Sequence, residues 1–156
     1  MSFLRGILFL LAIHGLASPA LAQIYPKEYI KNLRTKANDG DPKSQYGLAI
    51  YSLNENKPKE AWKWLNKSAE NGYAEAQLKM GDYYKDGLLI GYGQLTVAID
   101  LEKSLEWYKR AADQNHLGAT ENICALRSRG PAQNLSEAIT YCRASSQKGR
   151  HNGYFY

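Results

Sequence analysis

Apolar and small residues recur along this chain with the period of a helix face. Between Lys103 and Asn115 the stripe runs Ser104, Trp107-Tyr108, Ala111-Ala112 and Asn115, at i, +3, +4, +7, +8 and +11. That is one side of a 3.6-residue helix. The same stripe stands 43 residues upstream as Ala61, Trp64-Leu65, Ser68-Ala69 and Gly72, and 34 residues downstream as Ala138, Tyr141-Cys142, Ser145-Ser146 and Gly149. A stripe that returns at such intervals means stacked units, none of which buries its apolar face alone.

Each stripe is preceded by a second helical segment, so the repeating unit is a helix pair. The first unit, 41–72, opens on Asp41-Pro42, a capping residue followed by a proline suited to the first helical position. Ser44, Leu48, Ala49 and Tyr51 lie on one side of its first helix. The second unit, 73–115, puts Met80-Gly81 where the first has Leu48-Ala49. A glycine or alanine there lets the two helices of a pair approach closely. The third unit, 116–149, carries Ala119, Ile123-Cys124 and Leu126, turns at Arg129 to Asn134, and closes at Gly149. Before them, 23–40 predicts a solitary helix over Lys27 to Asp39 that covers the first open face. The tail, 150–156, ends Tyr154-Phe155-Tyr156 and is expected to fold back as an end cap or to meet a partner.

One stretch breaks the pattern. Leu88 to Val97, LLIGYGQLTV, makes the second unit eleven residues longer than the first and reads as an irregular insertion. Insertions in repeat proteins collect on one face, often the binding face.

Composition then narrows the setting. Arg5, an apolar run from Gly6 to Leu16 and Ala20-Leu21-Ala22 form the pattern of a cleavable export signal over 1–22. The expected compartment is the periplasm. The net charge of +5 is mild and dispersed. No Lys/Arg run is dense enough to track phosphates, so nucleic acid is not an expected partner.

The residues Ala74-x-Ala76-Gln77, Met80-Gly81-x-x-Tyr84, Gly87, Asp100, Lys103-Ser104-Leu105-x-Trp107-Tyr108 and Ala111-Ala112 together resemble the Sel-like repeats, relatives of the tetratricopeptide repeats. The resemblance implies an all-α fold: a right-handed α-solenoid of antiparallel helix pairs, about three repeats plus the N-terminal helix. It further implies a concave side, lined by the first helices, that binds proteins or peptides. Small exported members resemble immunity proteins that neutralise antibacterial toxins delivered by type VI secretion, phospholipase-type effectors included. They also resemble periplasmic adaptors of envelope assemblies. A monomer when free, with no stable membrane insertion after signal cleavage, is the expected state.

Cys124 and Cys142, the two cysteines of the chain, fall on the two helices of one pair. They align with Gly81 and Tyr108, both core-facing, and in an oxidising compartment they are expected to form a disulfide. Little else looks chemical. No H-E-x-x-H, G-x-S-x-G or phosphate-cradling loop is present, so no enzyme activity, metal or cofactor is expected. His116 and His151 read as solvated. Ser145-x-x-Lys148 matches the serine–lysine pattern of penicillin-recognising enzymes; about one such match is expected by chance in this composition, and a β-lactam-binding or -hydrolysing protein is the alternative that it leaves open. Asp82 and Asp86 beside Lys79 and Lys85 read as surface charge pairs.

The stronger signal is twelve tyrosines. Tyr84 and Tyr108 are read as fillers between units. Tyr51 and Tyr83 on the first helices, Leu88, Leu89, Ile90 and Tyr92 in the insertion, and Tyr154 and Phe155 in the tail are the candidate partner contacts, since such rings combine an apolar face with a polar tip. The insertion either touches the partner or plugs the groove.

Overall fold

The structure, a computed structural model, describes residues 25–90, 95–129 and 133–152. The 1–22 signal and Tyr92, Tyr154 and Phe155 therefore lie outside the described residues. Seven helices follow in order among those described: α1 (Lys27–Asn38), α2 (Pro42–Asn54), α3 (Pro58–Glu70), α4 (Ala74–Asp86), α5 (Leu101–Asp113), α6 (Leu117–Ser128) and α7 (Leu135–Asn152). Each packs on the helix before and the helix after it, which makes a stack of pairs α2/α3, α4/α5 and α6/α7 with α1 against α2.

Punctuation residues set where each helix stops. Gly40 (φ 96°), Gly72 (φ 92°) and Asn115 (φ 67°) take the left-handed conformation at the same place in successive junctions. After each, the next N–H reaches back to a carbonyl in the last helical turn: Asp41 to Lys36, Tyr73 to Ser68 and His116 to Ala111, at 3.0–3.1 Å. This is the Schellman closure that satisfies carbonyls orphaned at a helix end. The following helices are then capped. Asp41 Oδ2 accepts from the Ser44 N–H at 2.8 Å, and Asp100 Oδ1 accepts from the Lys103 N–H at 3.0 Å. The Ser44 hydroxyl and then its N–H hold the Asp41 carboxyl below its ordinary range, and the Lys103 N–H does so for Asp100.

His116, expected to be solvated, does the same work for α6. Its Nδ1 accepts from the Ala119 N–H at 3.4 Å, while Nε2 sits 3.1 Å from Glu75 Oε1 on α4. An acceptor at Nδ1 places the proton on Nε2, facing the carboxylate. His116 thus caps one helix and ties it to another.

The A-x-A-Q signature has a clear physical role. Gln45 and Gln77, both buried, donate from Nε2 to the carbonyls of Ala37 and Ala69 at 3.0 Å, across the junction to the preceding helix. Their Oε1 atoms accept in turn from Asn71 and Gln114 at 2.9 and 2.8 Å. Each glutamine therefore joins three helices, and as a satisfied buried polar group it also specifies register. The third unit has Thr120 there, whose hydroxyl only returns to the His116 carbonyl.

The tightest contact lies inside the middle pair. Tyr108 is fully buried, and its ring lies directly on the Gly81 backbone: a Cβ built at Gly81 would fall 2.4 Å from the ring. The phenol donates to Asp82 Oδ1 at 2.8 Å, and burial, then that bond, pushes its pKa well up. The equivalent positions are Ala49 and Leu65 in the first pair, both buried, and Cys124 and Cys142 in the third. The cysteines are joined, with Cα atoms 4.9 Å apart, and are half-buried rather than enclosed. Trp107, beside Tyr108, is half-buried and packs against the core cluster of the preceding helices, with the Arg110 guanidinium 4.6 Å from its ring centre. Tyr108 is the residue that fills the core.

Two further expectations change. The insertion is a β-hairpin, β1 (Leu88–Ile90) antiparallel to β2 (Leu95–Val97), in the register Leu88↔Val97, Leu89↔Thr96 and Ile90↔Leu95. Strands of three residues are too short to show an alternation in sequence. Helix α7 runs through Gly149 to Asn152 instead of closing at that glycine. Gly40 and Gly72 must turn the chain into a helix beginning two residues later, and no such helix follows Gly149 among the described residues. At the same end Leu135 and Ile139 are 60% and 58% exposed, whereas their equivalents Leu101 and Leu105 are packed against α6.

Gly81→Ala is expected to destabilise the fold by about 1–3 kcal/mol, because overpacking against an enclosed ring outweighs the alanine's higher helix propensity. Gly47→Ala is the comparison: its Cβ would meet only the mobile end of Leu33, at 3.1 Å. Chemical denaturation should show a clear loss for the first and little change for the second.

Candidate functional site

The residues that pack the stack leave one side of α1, α2 and α4 to present other side chains. Along α2, Lys43, Tyr46-Gly47, Ile50 and Leu53 follow one helical stripe and line two adjoining depressions that share Tyr46.

The first depression is a small apolar groove of about 90 Å³. Ile50 and Leu53 of α2, Trp62 and Leu65 of α3 and Tyr83 of α4 form its walls, and Leu88 and Leu95 of the hairpin close it on the far side. Trp62 is the hinge of this arrangement. Its ring lies 6.0 Å from Tyr83 and 6.3 Å from Tyr84, centre to centre, the second edge-on, which is a favourable aromatic geometry. Burial raises the Tyr83 phenol above its ordinary range. Lys79, the one cation on the groove wall among the described residues, is paired with Asp82 at 3.6 Å.

The hairpin is fastened at its base. Gly87 takes φ 75°, a conformation open to glycine at little cost, and a side chain there would press on Ile99 at 3.2 Å. The Asp100 N–H donates to the Tyr84 carbonyl at 2.8 Å, so the chain leaving β2 is tied to the end of α4. Val97 is buried.

The second depression is a wide open cleft of about 860 Å³ between α1 and α2. Tyr29, Tyr46 and Tyr73 supply flat faces, Asn32 an amide, and Lys36 and Lys43 positive charge; Asp41 is the one acid on its wall among the described residues. Tyr46 and Tyr73 touch with ring centres 5.2 Å apart.

Of the expected contact residues, Tyr83 and Leu88 meet in the groove. Leu89 and Ile90 lie in β1 opposite Thr96 and Leu95. Tyr51 lines neither depression: it is half-buried, with the Tyr25 ring edge-on at 5.7 Å. Tyr84 meets Trp62 of the preceding unit, as expected of a filler between units, whereas the Tyr108 ring lies directly on Gly81 inside its own pair. Trp62 was missed, although the repeat offset that relates it to Leu105 and Ile139 marks an apolar position facing the next unit. The α1/α2 cleft was missed too, because no periodicity reports on how α1 sits against α2.

Ser145 donates to the Cys142 carbonyl at 3.0 Å, so its hydroxyl is engaged with the backbone three residues earlier. Lys79–Asp82 and Lys85–Asp86 are ion pairs, as read from the sequence. Among the described residues no group of His, Cys, Asp and Glu is arranged to hold a metal, and no helix is long and apolar enough to cross a membrane.

Stacked helix pairs with a presented inner stripe define the class: a helical repeat scaffold. Residues 42–73 and 74–116 each match the Sel1 repeat family, and the chain is a Sel-like repeat protein. A Sel1 repeat protein of Oxalobacter formigenes superposes with a TM-score of 0.65 at 28% identity, over 76% of this chain and 89% of that one. A protective antigen of uropathogenic Escherichia coli with an SLR fold gives 0.64 at 25% identity, over 77% of this chain. An F-box protein of Arabidopsis thaliana is 44% identical over 57 residues, 35% of this chain. This chain spans 16% of the plant protein and 26% of the E. coli antigen.

Trp62→Ala removes the aromatic wall that lines the same depressions as Leu88 and Leu95. Hydrogen exchange should accelerate across 88–97 while α6 and α7 keep their protection, with a stability loss of about 2 kcal/mol for a half-buried ring. Unchanged exchange in 88–97 would show that the hairpin is held without Trp62.

Proposed function

We propose that this protein is a non-enzymatic scaffold that holds a protein partner against the face formed by α1, α2, α4 and the hairpin. The observation that carries the reading is the joining of an aromatic-walled groove and an open tyrosine–lysine cleft through one residue, Tyr46. Sel1 repeat proteins bind protein partners, which supports the class of ligand. Concave surfaces with tyrosine walls and few fixed charges give large contact area at low entropic cost.

At a finer level the protein is exported to the periplasm and acts as an immunity protein, neutralising a phospholipase-type effector delivered by type VI secretion. The leader pattern in 1–22 supports export. So does the Cys124–Cys142 bond, since disulfides persist in oxidising compartments. A single compact scaffold with one idiosyncratic hairpin is suited to one dedicated partner. The rival is an adaptor of an envelope assembly.

The immunity reading predicts an effector gene beside this one, and expression of that effector, directed to the periplasm, separates the two. Cells carrying this protein should survive and cells lacking it should die, with Leu88→Asp/Leu95→Asp impairing protection. Equal killing with and without the protein would remove the immunity role, and co-purification with envelope-assembly proteins would establish the adaptor.

A further inference from the structure

We infer that the cleft between α1 and α2 takes an acidic, extended peptide segment of the partner protein. This rests on the reading that the face binds protein, and it adds which chemistry the N-terminal end of that face selects.

The first argument is charge. Lys36 stands in the last turn of α1 and Lys43 in the first turn of α2, on opposite sides of the Gly40 turn. Both are exposed, and neither forms an ion pair among the described residues. Asp41, between them on the wall, keeps its carboxylate charge and interacts with both lysines, and Asp39 of the same turn lies off the wall, so the described wall carries two cations against one acid. Elsewhere on the same face the lysine is neutralised locally, as Lys79 is by Asp82.

The second argument is that folding does not ask for Lys43. The first turn of a helix favours negative charge, and α2 has no acidic residue there. A lysine at that position is tolerated by the helix and is explained by what it faces.

The third argument is shape. About 860 Å³ exceeds what one side chain fills and lies within the range of ligand sites. Tyr29, 51% exposed, and the Tyr46–Tyr73 pair offer rings for apolar side chains between the acids. The exposed amide of Asn32 has both donor and acceptor, the combination that reads a peptide backbone. An extended segment alternating carboxylates with leucine or tyrosine meets all three demands.

Fluorescence anisotropy tests this with two fluorescein-labelled peptides, one alternating Glu with Leu and Tyr, the other with every Glu changed to Lys. The wild-type protein should bind the acidic peptide, weaken as salt rises through ~0.15 M, and not bind the basic one. Lys36→Glu/Lys43→Glu, with an unchanged thermal melt, should weaken acidic-peptide binding by about tenfold or more, a loss of about 1.4 kcal/mol or more. Lys59→Glu/Lys63→Glu makes the same change in net charge at exposed positions on α3 outside the cleft, and should bind like wild type.

Equal binding of both peptides, equal loss in both double variants, or retained binding in the cleft variant overturns the inference. So does absence of peptide binding with cleft-dependent retention on phosphatidylglycerol vesicles, which assigns the site to a membrane surface. If capture of the effector survives Lys36→Glu/Lys43→Glu but not Leu88→Asp/Leu95→Asp, the cleft assignment fails and the scaffold reading stands. If neither variant affects capture, both fail.

Discussion

The close approach of the two helices within each pair is the constraint on which the rest of the molecule depends. At one equivalent position the chain meets it in three chemically different ways. Ala49 and Leu65 pair a small with a medium apolar side chain, Gly81 accepts the whole ring of Tyr108, and Cys124 and Cys142 replace packing by a covalent bond. Total volume across the contact has to fit a nearly fixed spacing, since interiors tolerate neither voids nor overlap. The bond stands in the last pair, where no helix follows among the described residues and Leu135 and Ile139 remain open, so less packing among the described residues holds the helices together. Glu137 reinforces that end. Its carboxylate, held below the usual range chiefly by the Lys109 ammonium at 2.7 Å, also meets Arg127 and so connects α5, α6 and α7.

With the pairs fixed internally, the junctions decide what the molecule presents. Gln45 and Gln77 tie each pair to the helix before it, and the left-handed residues at 40, 72 and 115 set the turn between them. The stripe of α2 that none of this uses runs from Lys43 to Leu53. The hairpin lies beside it with Trp62 lining the same two depressions and with Asp100 tying its exit to α4. The groove is thus a product of the insertion, and its contents depend on hairpin residues that the repeat pattern does not dictate.

This division explains what was legible in the residues. Repeats, caps, the small residue at the close approach and the cysteine pairing are local or periodic, and each was readable. The hairpin was not, because three-residue strands carry no period and the surface it lies beside includes Trp62, distant in sequence. His116 was read as solvated because its two partners, the Ala119 N–H and Glu75, converge only once α4 and α6 are stacked. The cleft of Lys36 and Lys43 arises from the angle between α1 and α2, which no single stretch encodes. Candidate contacts on the hairpin and α4 were found, and those facing α1 were not.

The claim that one spacing governs every pair is tested by exchanging its solutions. Gly81→Cys/Tyr108→Cys copies into the middle pair the arrangement of the last one. After oxidation and non-reducing peptide mapping, a second disulfide joining positions 81 and 108 is predicted alongside Cys124–Cys142, in a protein that remains helical. A folded, oxidised protein with free thiols at both substituted positions would show that the two pairs are not equivalent, and would contradict the account.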